Sequence, residues 1–126
     1  MPQDLILIVE DSPVDALITK KMIQLTSDSC EVKIFDSGKE AKKFVENEGP
    51  EHLPRLVLLD MNMPDLGGLD FLKEVNKSES WSGVPIVAIS SHYLPGEKES
   101  CKSYGISKFL EKPLAQEEVK ELFAIV

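Results

Sequence analysis

The sequence predicts an α/β fold, five β–α units arranged as a doubly wound open parallel sheet, (βα)5, with the strand order 2-1-3-4-5. Three observations carry this. The apolar runs Leu5–Val9, Leu56–Leu59 and Pro85–Ile89 are continuous rather than alternating, as strands buried on both faces are. Stretches with apolar residues at helical spacing lie between them, joined by short connections, and that alternation gives a parallel sheet with right-handed crossovers. A half-polar second strand, Glu31–Phe35, suits an edge, which leaves strands one and three side by side with a crevice at their carboxyl ends.

Each unit can be justified in turn. The first strand ends at Glu10-Asp11. Ser12 then serves as N-cap, Pro13 takes the first helical position and Asp15 falls at capping-box spacing. The helix runs to about Thr26, with Val14, Leu17, Ile18, Met22 and Leu25 predicted as its buried face. After the second strand, Ser37 and Glu40 cap a helix whose inward residues are Ala41, Phe44 and Val45. Residues 47–55 read as loop. The third strand, ending at Asp60, leads to a flexible turn at Gly67-Gly68 and a helix with Leu69, Leu72 and Val75 on one face. Residues 78–84 read as a polar loop before the fourth strand, which ends at Ser90. A short, less buried helix is predicted within 93–104, with Leu94, Cys101 and Tyr104 as its apolar residues and Gly105 as its stop. Residues 107–110 form a fifth strand, Glu111-Lys112-Pro113 turns, and the last helix carries Ala115, Val119, Leu122, Phe123 and Val126 on one face.

Length and composition bound the function. A chain of 126 residues with 42% hydrophobic and 29% charged side chains fits one globular domain, residues 1–126, with no effector domain and a core burying somewhat under ~70% of the unfolded surface. The formal charge of −8 argues against direct nucleic-acid binding, which needs a basic face. The first residues lack a basic n-region, and the apolar run there is too short for a signal peptide or membrane span, so a cytoplasmic location without membrane contact is expected. Cys30 and Cys101 have neither zinc nor redox spacing and read as reduced, structural thiols. His92 and His52 read as exposed loop residues without metal-ligand spacing.

In the predicted strand order the acids Glu10, Asp11 and Asp60 converge at one edge. Like charges about 4 Å apart repel by ~4 kcal/mol at an effective dielectric near 20, and a hard divalent cation such as Mg²⁺ offsets that most economically. Lys112 at the end of the fifth strand brings a positive charge to the same edge, and Ser90 brings a hydroxyl donor. Taken singly these residues are unremarkable: Asp60 is a turn former, Glu10-Asp11 a solvated helix entry, Phe109 a core aromatic. Their conjunction is what points to a site.

Asp60 followed by Met63-Pro64 and Gly68, the pair Glu10-Asp11, Ser90, and Lys112-Pro113 together resemble the response-regulator receiver domain of two-component signalling, over essentially the whole chain. The resemblance implies a phosphorylation-activated switch. Asp60 is then the phosphoacceptor, a carboxylate nucleophile. Asp11, Asp60 and the main-chain carbonyl of Asn62 hold Mg²⁺, with Glu10 acting through a water. Lys112 pairs with a phosphoryl oxygen and Ser90 swings toward it. Phe109 follows as the aromatic switch, and the change is read on the fourth helix, fifth strand and fifth helix. Asn62 and His92 fall where the family tunes phosphoryl lifetime, and the Lys112-Pro113 bond is one the family holds in cis. Serine at 90, where threonine is frequent, keeps the hydroxyl.

The partners implied are a histidine kinase or phosphotransfer protein as phosphodonor and a downstream protein target. The chain is then not an enzyme in the ordinary sense, but a receiver with Mg²⁺-dependent self-phosphorylation and slow autodephosphorylation. It is either of the stand-alone chemotaxis or phosphorelay kind or a fragment of a longer regulator. Three other readings compete. A degenerate receiver would bind partners without phosphorylation, and the complete set of acids, hydroxyl and lysine counts against it. An aspartyl phosphatase of the haloacid-dehalogenase type needs D-x-D on the first strand, whereas Asp60-Met61-Asn62 stands on the third. A flavodoxin shares the strand order, but Glu10-Asp11 would repel the flavin phosphate.

Overall fold

The computed structural model describes residues 4–27, 29–47, 53–63, 67–106 and 108–125. Five parallel strands, β1 (Asp4–Val9), β2 (Cys30–Phe35), β3 (Leu56–Asp60), β4 (Ile86–Ser90) and β5 (Phe109–Glu111), form one sheet in the order β2-β1-β3-β4-β5. Register is continuous across the centre, with Ile8 opposite Leu58 and Leu58 opposite Val87. The predicted order therefore holds, and β2, with half of its residues exposed, is an edge.

Among the described residues each strand is followed by an α-helix, the first four as crossovers and the fifth after the last strand: α1 (Pro13–Thr26), α2 (Gly38–Asn47), α3 (Gly67–Asn76), α4 (Glu97–Ser103) and α5 (Gln116–Ile125). Successive strand residues face opposite sides of a sheet, and this divides the core in two. Leu7, Val9, Val57, Leu59 and Ala88 pack with Ala41 and Val45 of α2, Phe71, Leu72 and Val75 of α3, and Cys101 of α4. Ile6, Ile8, Leu56, Leu58, Val87, Ile89 and Leu110 pack on the other face with Ala16 and Ile23 of α1 and Val119 and Leu122 of α5. β3 is buried along its whole length. Both cysteines are free and buried. Among the described residues no helix is long and apolar enough to cross a membrane.

Several elements differ from the sequence reading. The buried face of α1 is Ala16, Thr19 and Ile23, while Val14, Leu17, Ile18 and Leu25 are 66, 52, 52 and 81% exposed. Ala16, Thr19 and Ile23 lie against the sheet, and this phase also turns Asp15 toward Lys112, whose ammonium it meets at 3.0 Å. Gly67 and Gly68 are already helical. The stretch 78–84 is not simply a polar loop: Glu79–Trp81 form a 3₁₀ turn that buries Trp81, whose ring meets Phe44 edge-on at 6.1 Å. Leu94 is exposed ahead of α4, and Ala115 is exposed ahead of α5, where its N–H donates to Glu118 Oε1 at 2.9 Å. β5 begins at Phe109 and extends through Glu111, later than predicted. Gly105 ends the α4 segment with φ +92°, a left-handed stop that glycine adopts without steric cost. Pro64, His52, Ser107 and Val126 lie outside the described residues.

Candidate functional site

The carboxyl ends of β1, β3, β4 and β5 open on one edge, and each contributes a side chain there. Beyond Val9 the Glu10 N–H donates to Phe35 O at 2.9 Å, which extends the pairing one residue and leaves the Glu10 side chain 5% exposed. Its Oε2 accepts the Ser12 N–H at 3.3 Å, and Ser12 Oγ caps α1 by accepting the Asp15 N–H at 3.3 Å. The capping box is thus only half made. The Asp15 carboxylate that would complete it reaches the Lys112 Nζ instead.

Asp60 is the last residue of β3 and 2% exposed. Its Oδ1 accepts the Asn62 N–H at 2.9 Å, which fixes the carboxylate against the turn that follows. Lys112 is anchored by its N–H donating to Ser90 O at 2.9 Å, just before the cis Lys112-Pro113 bond. Its Nζ lies 2.5 Å from Glu10 Oε1, 3.0 Å from Asp15 Oδ2 and 3.7 Å from Asp60 Oδ2. The predicted lysine is therefore at the edge, bound to three acids.

Glu10, Asp11 and Asp60 each bring an oxygen into a group whose members lie within 4.8 Å of one another. Burial, then the neighbouring Asp60, pushes the Glu10 carboxyl up to about 7, with Lys112 opposing. Burial works against the charge of Lys112, but its hydrogen bonds to Glu10 and Asp15, with Asp60 beside them, push the ammonium up to about 12. One lysine is thus shared among a surplus of acids. Asp11 is exposed at the mouth and lies off the lysine, so the open side of the cluster is an all-oxygen donor set of the kind Mg²⁺ takes. The residues present fit that ion.

Ser90 ends β4 and is fully buried. Its hydroxyl is 2.6 Å from Asn62 Oδ1 and 2.7 Å from His92 O, and it accepts the His92 N–H at 3.0 Å. Phe109 opens β5 and meets the Tyr93 ring edge-on at 5.9 Å. The Tyr93 hydroxyl donates toward Leu110 O at 2.7 Å and Ala88 O at 3.1 Å, and burial pushes that phenol well above its usual range. Lys98 Nζ lies over both rings.

The structure thus brings Glu10, Asp11, Asp60, Asn62, Ser90 and Lys112 to one edge, with Phe109 on β5 three residues before Lys112 and His92 entering through its main chain. Two further residues, Asp15 and Tyr93, escaped the sequence reading, as did the contacts of the Asn62 side chain. Spacing alone gives Asp15 a capping role, although it stands in the first turn of the helix that begins at this edge. The reach of the Asn62 side chain into the loop after β4 and the packing of Tyr93 on Phe109 join residues distant in sequence, and no local pattern marks them.

The family model described as "Response regulator receiver domain" matches residues 6–124. Two-component response regulator ORR1 of Oryza sativa subsp. japonica is 32% identical over 123 residues, covering 93% of this chain and 52% of its own length. The chain therefore spans about half of that curated relative. A two-component response regulator from Legionella pneumophila superposes with a TM-score of 0.87 at 30% identity, over 98% of this chain and 97% of that one. The receiver domain of sensor histidine kinase PA1611 from Pseudomonas aeruginosa PAO1, solved with a magnesium ion coordinated in its active-site cleft, gives 0.82 at 26% identity over 98 and 96% of the two chains. With the family match running through all five strands, this chain belongs to the receiver domains of two-component response regulators, which are signalling domains.

Proposed function

We propose that this chain is a phosphorylation-activated signalling switch in which Asp60 is the phosphoacceptor. The observation that carries the reading is the convergence of three carboxylate oxygens within 4.8 Å, beside a lysine ammonium, where the central strands end. An Asp60 carboxylate oxygen attacks the phosphorus of a phosphohistidine. The P–O bond forms as the P–N bond breaks, the imidazole nitrogen departs with the bonding pair, and an acyl phosphate results. Asp11, Asp60 and the Asn62 main-chain carbonyl, with Glu10 acting through a water, would hold Mg²⁺, and the bound ion would neutralise charge on the transferring group.

Lys112 donates to a phosphoryl oxygen, drawing on the ammonium that now serves Glu10, Asp15 and Asp60. The Asn62 N–H keeps the Asp60 carboxylate oriented for in-line approach. Ser90 turns its hydroxyl onto another phosphoryl oxygen, and Phe109 moves behind it. Phosphorylation adds about −1.5 to −2 charges, and the surface of α4, β5 and α5 changes in proportion to its preference for the phosphorylated state. Water later attacks the phosphorus, releasing phosphate and restoring the carboxylate, with Asn62 and His92 at the entrance setting the rate.

The donor is a histidine kinase or phosphotransfer protein, and the output is a protein target in the cytoplasm. The exposed apolar residues Val14, Leu17 and Ile18 of α1, on the helix that starts at the acid edge, support contact with a protein donor, because its histidine must reach Asp60 while its body rests on the rim. The net charge of −8 supports a protein rather than a nucleic acid as partner. The test is incubation with Mg²⁺ and acetyl phosphate followed by intact-mass measurement. Wild type gains one phosphoryl group and Asp60→Asn gains none; no gain in wild type, or an equal gain in the variant, overturns the reading.

A further inference from the structure

We infer that the Asn62 side chain is a positioning residue that latches the Ser90 hydroxyl in the unphosphorylated state, so that it competes with the phosphoryl group for Ser90. The inference rests on the phosphoacceptor reading and assigns the device that sets its resting state. Asn62 Oδ1 takes the Ser90 hydroxyl at 2.6 Å, the Ser91 N–H at 3.1 Å and the Ser91 hydroxyl at 3.3 Å. Its Nδ2 donates to His92 O at 3.2 Å. One carboxamide thus holds three consecutive residues, the last of β4 and the first two of the loop that follows, from 28 to 30 residues away. The carboxamide orientation is fixed by its partners: the Ser91 N–H can only donate and His92 O can only accept, so Oδ1 and Nδ2 have one consistent assignment.

A serine hydroxyl has one hydrogen to give. In this state that hydrogen is shared between Asn62 Oδ1 and His92 O, and the oxygen accepts the His92 N–H. Donation to a phosphoryl oxygen therefore requires Ser90 to leave Asn62. The same residue is tied to the phosphoacceptor through its main-chain N–H, which donates to Asp60 Oδ1. Asn62 thus touches the reacting carboxylate with its backbone and the switch hydroxyl with its side chain. The carboxamide is exposed, so water can take over its bonds when the loop departs, and the latch opens without leaving a buried polar group unpaired.

A latch of this kind adds to the work of reaching the active state, and removing it raises apparent affinity for anything that binds that state. The probe is trifluoroberyllate, a phosphoryl mimic, titrated at saturating Mg²⁺ and followed by fluorine NMR in wild type, Asn62→Ala, Ser90→Ala and the double variant. Asn62→Ala binds it about 3- to 10-fold tighter than wild type, the range that one net hydrogen bond corresponds to. In the Ser90→Ala background the same substitution gains less than about 2-fold, because the hydroxyl it restrains is gone. Backbone amide signals of Ser91 and His92 shift in free Asn62→Ala. Equal or weaker affinity of Asn62→Ala, or the same gain without the Ser90 hydroxyl, overturns the latch while wild-type binding upholds the phosphoacceptor site. Absence of wild-type binding overturns both.

Discussion

The two halves of the carboxyl edge are built from different forces. Where β1 and β3 end, the buried carboxyl groups of Glu10 and Asp60 meet the Lys112 ammonium, which reaches over from the end of β5, at 2.5 and 3.7 Å, with Asp11 open to solvent beside them. On the β4 side, Ser90, Ser91 and His92 are held by neutral hydrogen bonds to one carboxamide. Rearranging buried charges is costly, because each must be paired or neutralised. Neutral hydrogen bonds contribute only about 1 kcal/mol net and exchange readily with water or an anion. The acid half is therefore suited to hold fixed geometry for chemistry, and the amide half to change state afterwards.

The contrast is broken most severely at Lys112. Lys112→Ala leaves Glu10, Asp15 and Asp60 without their shared cation, and the folded protein loses roughly 3 kcal/mol in urea denaturation with chelator present. Added Mg²⁺ recovers part of that loss by neutralising the same acids. A variant as stable as wild type in chelator would mean that the acid half is not held by charge.

Asp11→Asn shifts stability in the opposite direction. Unit charges within 4.8 Å of one another repel by at least ~3.5 kcal/mol at an effective dielectric of 20, and the exposure of Asp11 reduces this to about 1 kcal/mol. The metal-free variant is therefore more stable than wild type by about that amount. Mg²⁺ raises the melting temperature of wild type through binding to the folded state and leaves the variant nearly unmoved. Melting curves with chelator and with Mg²⁺ read both effects, and a Mg²⁺ shift equal in the two proteins would take Asp11 out of the cation site.

The same division marks what the sequence made legible. The strand order followed from uninterrupted apolar runs and from the polar β2, because burial on both faces leaves a pattern in consecutive residues. The acids and Lys112 were legible because strand ends converge on one edge whatever the loops do. The phase of α1 was not: Val14, Leu17 and Ile18 have the spacing of a buried face, yet Ala16, Thr19 and Ile23 lie against the sheet. Helical periodicity gives two candidate faces when apolar residues are abundant. Which one packs is decided by tertiary contacts such as Asp15 to Lys112, 97 residues apart. Trp81 escaped for a related reason, since its neighbours in the chain are polar while its ring joins the core and meets Phe44 of α2.

Ser90→Ala tests the amide half. Removing a buried hydroxyl that both donates and accepts costs about 1 kcal/mol, less than the loss at Lys112. Phosphoryl transfer from acetyl phosphate to Asp60 continues, more slowly, while amide signals of β5 and α4 no longer change on phosphorylation. Retention of the full spectral change in this variant would remove Ser90 from the switch and leave the two halves uncoupled.

The smallest stability effect is expected outside both halves, on the exposed face of α1. Leu17 is 52% exposed, so Leu17→Ala removes little buried apolar surface and changes unfolding free energy by within about 0.5 kcal/mol. Its effect belongs to encounter. A phosphodonor protein that rests on Val14, Leu17 and Ile18 while its histidine reaches Asp60 loses contact area, and phosphotransfer from it slows several-fold at subsaturating donor. Acetyl phosphate needs no such contact, so its rate with Leu17→Ala stays at the wild-type value. Comparing the two donors on one variant separates docking from chemistry: equal slowing with both would place Leu17 in the geometry of the acid half, and no slowing with either would leave the apolar face of α1 without a role in donor recognition.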